Sequence, residues 1–278
     1  MKKVIILFCM LFHLHVFAQP NPTEQAQPIV AEGKRLYRSE MASWYGTDLF
    51  MEAYKNRDNI GGYFSYTEDD VSKCIFFDST KDPKVIGTIS FDSTYNIKTA
   101  KTDLTERKFS ATESDLYFIR LATLDLVKSD TLFRHYNKTS LNLVPLINGD
   151  EKKVYILTAS SENGVIIFGN DYLLTFGNDN KLTGKKRLHL SLIAMNYGEP
   201  DKEGKEVFGA MHTHLPETGD FMTATDICTL MLYEKFTKWK QHNVVSENYL
   251  NIWNCLSHQL TVVPMPARTD SDKKKKKN

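Results

Sequence analysis

Cysteine is scarce in this chain: four in 278 residues, one of them, Cys9, within the first twenty. So thin a supply excludes a disulfide scaffold. An excess of one charge is lacking too. Lys and Arg number 35 against 34 Asp and Glu, without the basic surplus or basic face of a protein built to grip nucleic acid. The one basic run, Lys273 to Lys277 after Ser271 and Asp272, reads as a solvated tail. After the first 19 residues no apolar stretch reaches the roughly 20 residues that cross a bilayer. The glycines build no GxxxxGK[ST] loop, no GxGxxG after a strand and no Gly-x-Ser-x-Gly elbow, so these phosphate-binding and nucleophile motifs are absent. No internal repeat is found.

What is present is the composition of a globular protein, 41% hydrophobic, 25% charged and 12% aromatic, enough apolar surface to build a core. The length fits one or two domains of about 100–200 residues. Lys2 and Lys3, the apolar Val4 to Val16, and Ala18 near a plausible cleavage point have the layout of a secretory signal peptide. Residues 1–19 are therefore expected to be removed and the protein exported, to a periplasm or beyond, with no integral membrane span left. Cys74, Cys228 and Cys255 then remain. A Cys228–Cys255 bridge with Cys74 free is the pairing to expect if one forms.

Residues 20–38, with Pro20, Pro22, Pro28 and Gly33, read as a flexible leader. The spacing predicts a helix from Ser39, ended by Gly61-Gly62. Short β-like runs follow at 73–78 and 85–92, with a weaker one in NIKTAKTD. Ser110 and Glu113 form a capping-box pattern that opens a helix ending near Ser129. Strands are expected at 141–147 and 154–158, then a hairpin turning at Asn178-Asp179-Asn180. A surface loop at 196–205, a short strand at 206–211, a helix at 223–241 and closing strands at 248–253 and 259–263 complete the reading. The result is an α/β or α+β chain: an N-terminal α+β region at 39–150, a second module at 151–266 and a basic tail at 267–278. Trp44, Trp239 and Trp253 read as core.

The chemistry concentrates in GAMHTHLPETGDFMTATDICTL. His212 and His214, two apart at a strand end, fall on one face and can share a Zn²⁺. Asp226, in the first turns of the next helix, supplies a third ligand if the intervening loop folds back. Three protein ligands leave a fourth position for water. Asp226 and Thr223 also read as helix-capping residues. His189, at the end of a β-like run, reads as structural, with a role at the rim of the site as the alternative, and Asp171 as a bulge or turn residue. His135, His242 and His258 have no partner pattern.

His212-Thr-His214, followed by Pro216, Thr218, Phe221, Thr223 and Asp226, resembles the metal-binding motif of JAMM metallopeptidases, the catalytic MPN-domain family. Leu215 is an insertion before the proline, and Thr223 stands where the family has serine. The resemblance covers roughly residues 150–265. It implies a mixed sheet flanked by helices, of the MPN/cytidine-deaminase-like type. It further implies zinc held by His212, His214 and Asp226, and hydrolysis of an amide bond in an unidentified protein or peptide. Thr223 would hydrogen-bond the oxyanion. The family's general base is a glutamate on an earlier strand, in a Glu-x-x-Gly-x-x-x-Gly arrangement. Glu162, with Gly164 and Gly169, is the counterpart here, although Ser160 to Asn163 also reads as a turn. Glu151 and Glu206 are poorer substitutes. The alternative is a secreted, non-catalytic binding or scaffold module on the same fold, with or without a metal.

Overall fold

The computed structural model describes residues 21–198 and 207–266. The signal-like start, the basic tail, Glu206 and most of the 196–205 loop lie outside them. The protein is α+β. Helices α1 (Pro22–Gln25) and α2 (Gln27–Ala53) are followed by strands β1 (Ile60–Glu68), β2 (Val71–Asp78), β3 (Val85–Phe91) and β4 (Lys101–Asp103). Helix α3 (Ala111–Ser129) leads to β5 (Thr139–Asn148), β6 (Glu151–Ser160), β7 (Val165–Gly169), β8 (Tyr172–Phe176), β9 (Leu182–Arg187) and β10 (Leu192–Asn196). Last come β11 (Gly209–Thr213), α4 (Ala224–Thr237), β12 (Gln241–Val245), β13 (Tyr249–Asn254) and β14 (Gln259–Pro264).

The strands form four sheets: β1-β2-β3-β4, β5-β6-β8-β9, the pair β10-β7, and β11-β12-β13-β14. The sequence anticipates β2, β3 and α3 closely, and the Ser110–Glu113 capping box forms as expected. The hairpin at 178–180 also forms, between β8 and β9. Its neighbour β7 leaves that sheet and pairs with β10 instead. The boundary expected at 150 falls in the turn of the β5–β6 hairpin, which pairs without a break from Thr139–Ser160 to Asn148–Glu151.

The largest correction concerns the N-terminus. Residues 22–38 are helical, not a flexible leader. Proline is harmless in a helix's first turn, and Pro22 and Pro28 both stand there. Ala26 and Val30 are buried with Ile227 and Leu230 of α4, Phe168 of β7 and Trp253 of β13. Gly33 marks a close approach to α4: a Cβ there would lie 2.7 Å from Ile227 Cβ. Farther along, Met41, Ala42 and Phe50 pack on Cys74, Phe76 and Ile89 of the first sheet. One helix thus serves both halves of the chain, which is why no boundary separates them. It ends at Ala53, and Gly61-Gly62 belong to β1.

Two further expectations change. Helix α4 stops at Thr237 with Lys238 in the left-handed conformation, and Gln241 already begins β12. Cys74, Cys228 and Cys255 are buried free thiols, so the Cys228–Cys255 bridge is not formed. Trp239 and Trp253 are core, whereas Trp44 is exposed and stacks on Phe236.

Candidate metal centre

β11 and β12 run parallel, joined by α4, a β-α-β crossover that places the end of β11 beside the start of α4. Strand alternation puts His212 and His214 inward and Thr213 outward. The amide of His214 donates to Val245 O, extending the ladder past the strand end. The returning loop is pinned to β13. Buried Asn251 accepts from Met222 N at 3.1 Å and donates to Asp220 O at 2.8 Å. The fold-back expected of this loop is therefore observed.

Thr223 caps α4, and Asp226 completes the box. The Thr223 amide and hydroxyl both donate to Asp226 Oδ2, at 2.9 and 2.7 Å, and the Asp226 amide donates to Thr223 Oγ1. Thr223 therefore positions the carboxylate, and its hydroxyl is committed there. Asp226 Oδ1 is buried and accepts no hydrogen bond among the described residues; the His189 ring, Nε2 at 3.5 Å, is its electrostatic partner, and a buried carboxylate oxygen of this kind suits a cation.

His189, read from sequence as structural, belongs to this group. It lies on the loop between β9 and β10, which is laced to residues 169–171. Leu188 N donates to Asp171 O at 2.8 Å and Asn170 N to Ser191 O at 3.0 Å. Gly169 makes that crossing feasible. Its φ is +84°, and a Cβ would lie 2.2 Å from Ser191 O. Asp171 Oδ2 stands 3.5 Å from His189 Nδ1, while Asp171 Oδ1 accepts from Thr158 N.

Ligand atoms of His189, His212, His214 and Asp226 lie within 4.8 Å of one another, and all four residues are at most 7% exposed. His214 Nε2 is 3.3 Å from both His189 Nε2 and His212 Nε2, and 3.2 Å from Asp226 Oδ2. Asp226 Oδ1 is 3.5 Å from His189 Nε2 and 3.6 Å from His212 Nε2. Four donors at ~2.0–2.1 Å from a common centre, placed tetrahedrally, stand ~3.3 Å apart. The group can thus bind a metal ion. The fit rests on these spacings, on the orphaned Asp226 oxygen and on a donor set of three imidazoles and a carboxylate.

Behind the donors stands a second layer. For His212 Nε2 to face the centre with its lone pair, the proton sits on Nδ1, which lies 2.9 Å from His242 Nε2. Phe168 covers both rings, with centroids 4.9 and 4.8 Å away. Burial drives His242 down to about 3, reinforced by His212. Burial also drives His212 down to about 4, against the pull of Asp226. Both rings are neutral at pH 7. Burial acts in the same direction on His189, but the Asp226 and Asp171 carboxylates outweigh it and lift that ring to about 10. Asp226 is held well below the usual carboxylate range, burial being outweighed chiefly by His189.

Glu162 is not in this group. It lies in the turn between β6 and β7, its side chain 47% exposed and bonded to Lys138 Nζ at 2.6 Å. From Val165, β7 runs ~13 Å at a strand's rise before reaching Gly169, where the His189 loop crosses. The polar turn Ser160–Asn163 wins over the base reading, since Ser160 Oγ accepts from the Glu162 amide within it. Glu151 is likewise exposed and paired with Lys153.

The chain matches no family model, no curated protein and no solved structure. Among the described residues no helix is long and apolar enough to cross a membrane.

Proposed function

We propose that this protein is a zinc-holding, non-catalytic module whose metal fastens the end of β11, the start of α4 and the β9–β10 loop to one another. The observation that carries the reading is His189 Nε2, 3.3 Å from His214 Nε2 and 3.5 Å from Asp226 Oδ1. With His189 the group offers four protein donors, where the resemblance to JAMM metallopeptidases implies three and a water. Structural zinc sites are closed by four protein ligands, whereas catalytic ones keep a position open. Three imidazole nitrogens also favour zinc over the oxygen-seeking magnesium or calcium. The signal-like start supports a role outside the cytoplasm, where such a cross-link stabilises an exported chain without disulfides.

Metal analysis of protein purified without chelator, followed by thermal unfolding with and without chelator, tests this. About one zinc per chain and a large drop in Tm on its removal are expected. Protein that holds no zinc when supplied with it overturns the reading. So does amide hydrolysis by the zinc-loaded wild type that vanishes in Glu162→Gln, which would restore the peptidase reading.

A further inference from the structure

A cleft of about 390 Å³ lies between α2, β1, α3 and β5, lined by residues none of which is a ligand of the metal centre. Its volume is that of a small-molecule site, and three ionisable side chains line it, Glu40, Asp48 and Arg120, none of which makes an ion pair among the described residues. Glu40 of α2 is partly buried and makes no ion pair among the described residues. Its one hydrogen bond is a long one, from Asn142 Nδ2 at 3.4 Å. The titratable groups that sense its charge are Tyr63 on β1, Cys74 on β2, and Cys228 and Tyr233 on α4, none of them cationic. Arg120 of α3, also partly buried, donates no hydrogen bond and makes no ion pair among the described residues. Its guanidinium lies over the Tyr63 ring, 5.9 Å from the centroid.

An acid on α2 and a base on α3 that line one cleft, both partly buried and unpaired among the described residues, are costly in an empty protein. A ligand that carries the opposite pair relieves both. We propose that this cleft binds a small zwitterion, a free amino acid or short peptide, with its ammonium on Glu40 and its carboxylate on the Arg120 guanidinium. The planar fork of arginine matches a carboxylate with two parallel hydrogen bonds. Ser43, Thr47 and Asn142 line the same cleft and are polar groups that a peptide's backbone could meet there. Among the described residues no hydrogen bond or ion pair joins Glu40 to Arg120, so the ligand must bridge the two, and its chain length is the variable to test.

Burial pushes the Glu40 carboxyl up to about 7 against the bond from Asn142. An ammonium placed beside it draws off the proton, so binding at neutral pH releases protons.

The test is calorimetric titration of the full, metal-loaded protein with glycine, diglycine and triglycine, and with the twenty free amino acids. Binding by at least one of them at micromolar to millimolar concentration is expected. N-acetylation or C-terminal amidation of that ligand should each weaken binding at least tenfold, as should Glu40→Gln and Arg120→Met. Heats measured in buffers of different ionisation enthalpy should show proton release. No binding by any of these compounds at millimolar concentration overturns the proposal. So does equal binding of the blocked and free forms, or a bound ligand indifferent to both substitutions. Failure of zinc to bind would leave these results untouched, because the cleft shares no residue with the metal centre.

Discussion

The Asp171 carboxylate stands behind the His189 ring, Oδ2 to Nδ1 at 3.5 Å, with its other oxygen held by the Thr158 amide at 3.1 Å. A carboxylate on the far nitrogen of a metal-ligating imidazole fixes the ring's orientation and raises its basicity. Asp171→Asn keeps the shape and removes the charge. It should weaken zinc binding about 10–100-fold while the far-ultraviolet circular dichroism stays that of the wild type. Competition with a chromophoric chelator measures the change, and unaltered affinity would detach Asp171 from the metal.

Gly169 is the hinge of the same arrangement. Alanine there must adopt a positive φ and meet the Ser191 carbonyl. Gly169→Ala should cost about 2–4 kcal/mol of stability in denaturant unfolding. The His189 loop would be displaced, so zinc affinity should fall with it. A stable variant with full affinity would mean that the loop crosses at a greater distance.

Thr223 acts twice, as cap of α4 and as donor to Asp226 Oδ2. Thr223→Ser keeps both bonds and should behave as wild type. Thr223→Val removes both and should cost about 1–2 kcal/mol, with weaker metal binding. Equal behaviour of the two variants in thermal unfolding and zinc titration would deny the hydroxyl its role.

Glu40 makes stability depend on pH in a defined direction. Its folded pKa of about 7 lies above its ordinary value of 4.5. The folded state therefore holds the proton more tightly, and stability falls as pH rises through that interval. Glu40→Gln should leave stability near pH 4 almost unchanged and raise it by about 1–3 kcal/mol near pH 8. Denaturant unfolding at the two pH values checks it; a larger gain at the acid end would reverse the sign.

Three of the four candidate ligands were legible because they are local. His212 and His214 share a face through strand alternation, and Asp226 stands at a helix start that Thr223 announces. His189 carries no such spacing. It reaches the site only because its loop crosses Gly169, and the one trace in the sequence is a lone Asp171 that reads equally well as a turn residue. His242 is hidden for the same reason: the expected helix ran to Gln241 and no strand was read at 242–245, so the register of β12 against β11 was not available. The Glu162 pattern failed in the opposite way. A spacing of glycines suggested a base, but Gly169 is kept for the loop crossing and Ser160–Asn163 for a turn.

The sequence by itself determined an α+β chain, most of its strands, the caps of α3 and α4, and a His-x-His…Asp group facing one point. These follow from interactions between neighbours along the chain, whose period and polarity are written in order. Only the tertiary structure decided that residues 22–38 form helices packed into the core, that a third imidazole, His189, joins the candidate metal group, and that Glu40 and Arg120 line one cleft. Each of these depends on which surfaces meet across long separations, and burial of shared apolar area, which drives that meeting, leaves no fixed spacing in the sequence.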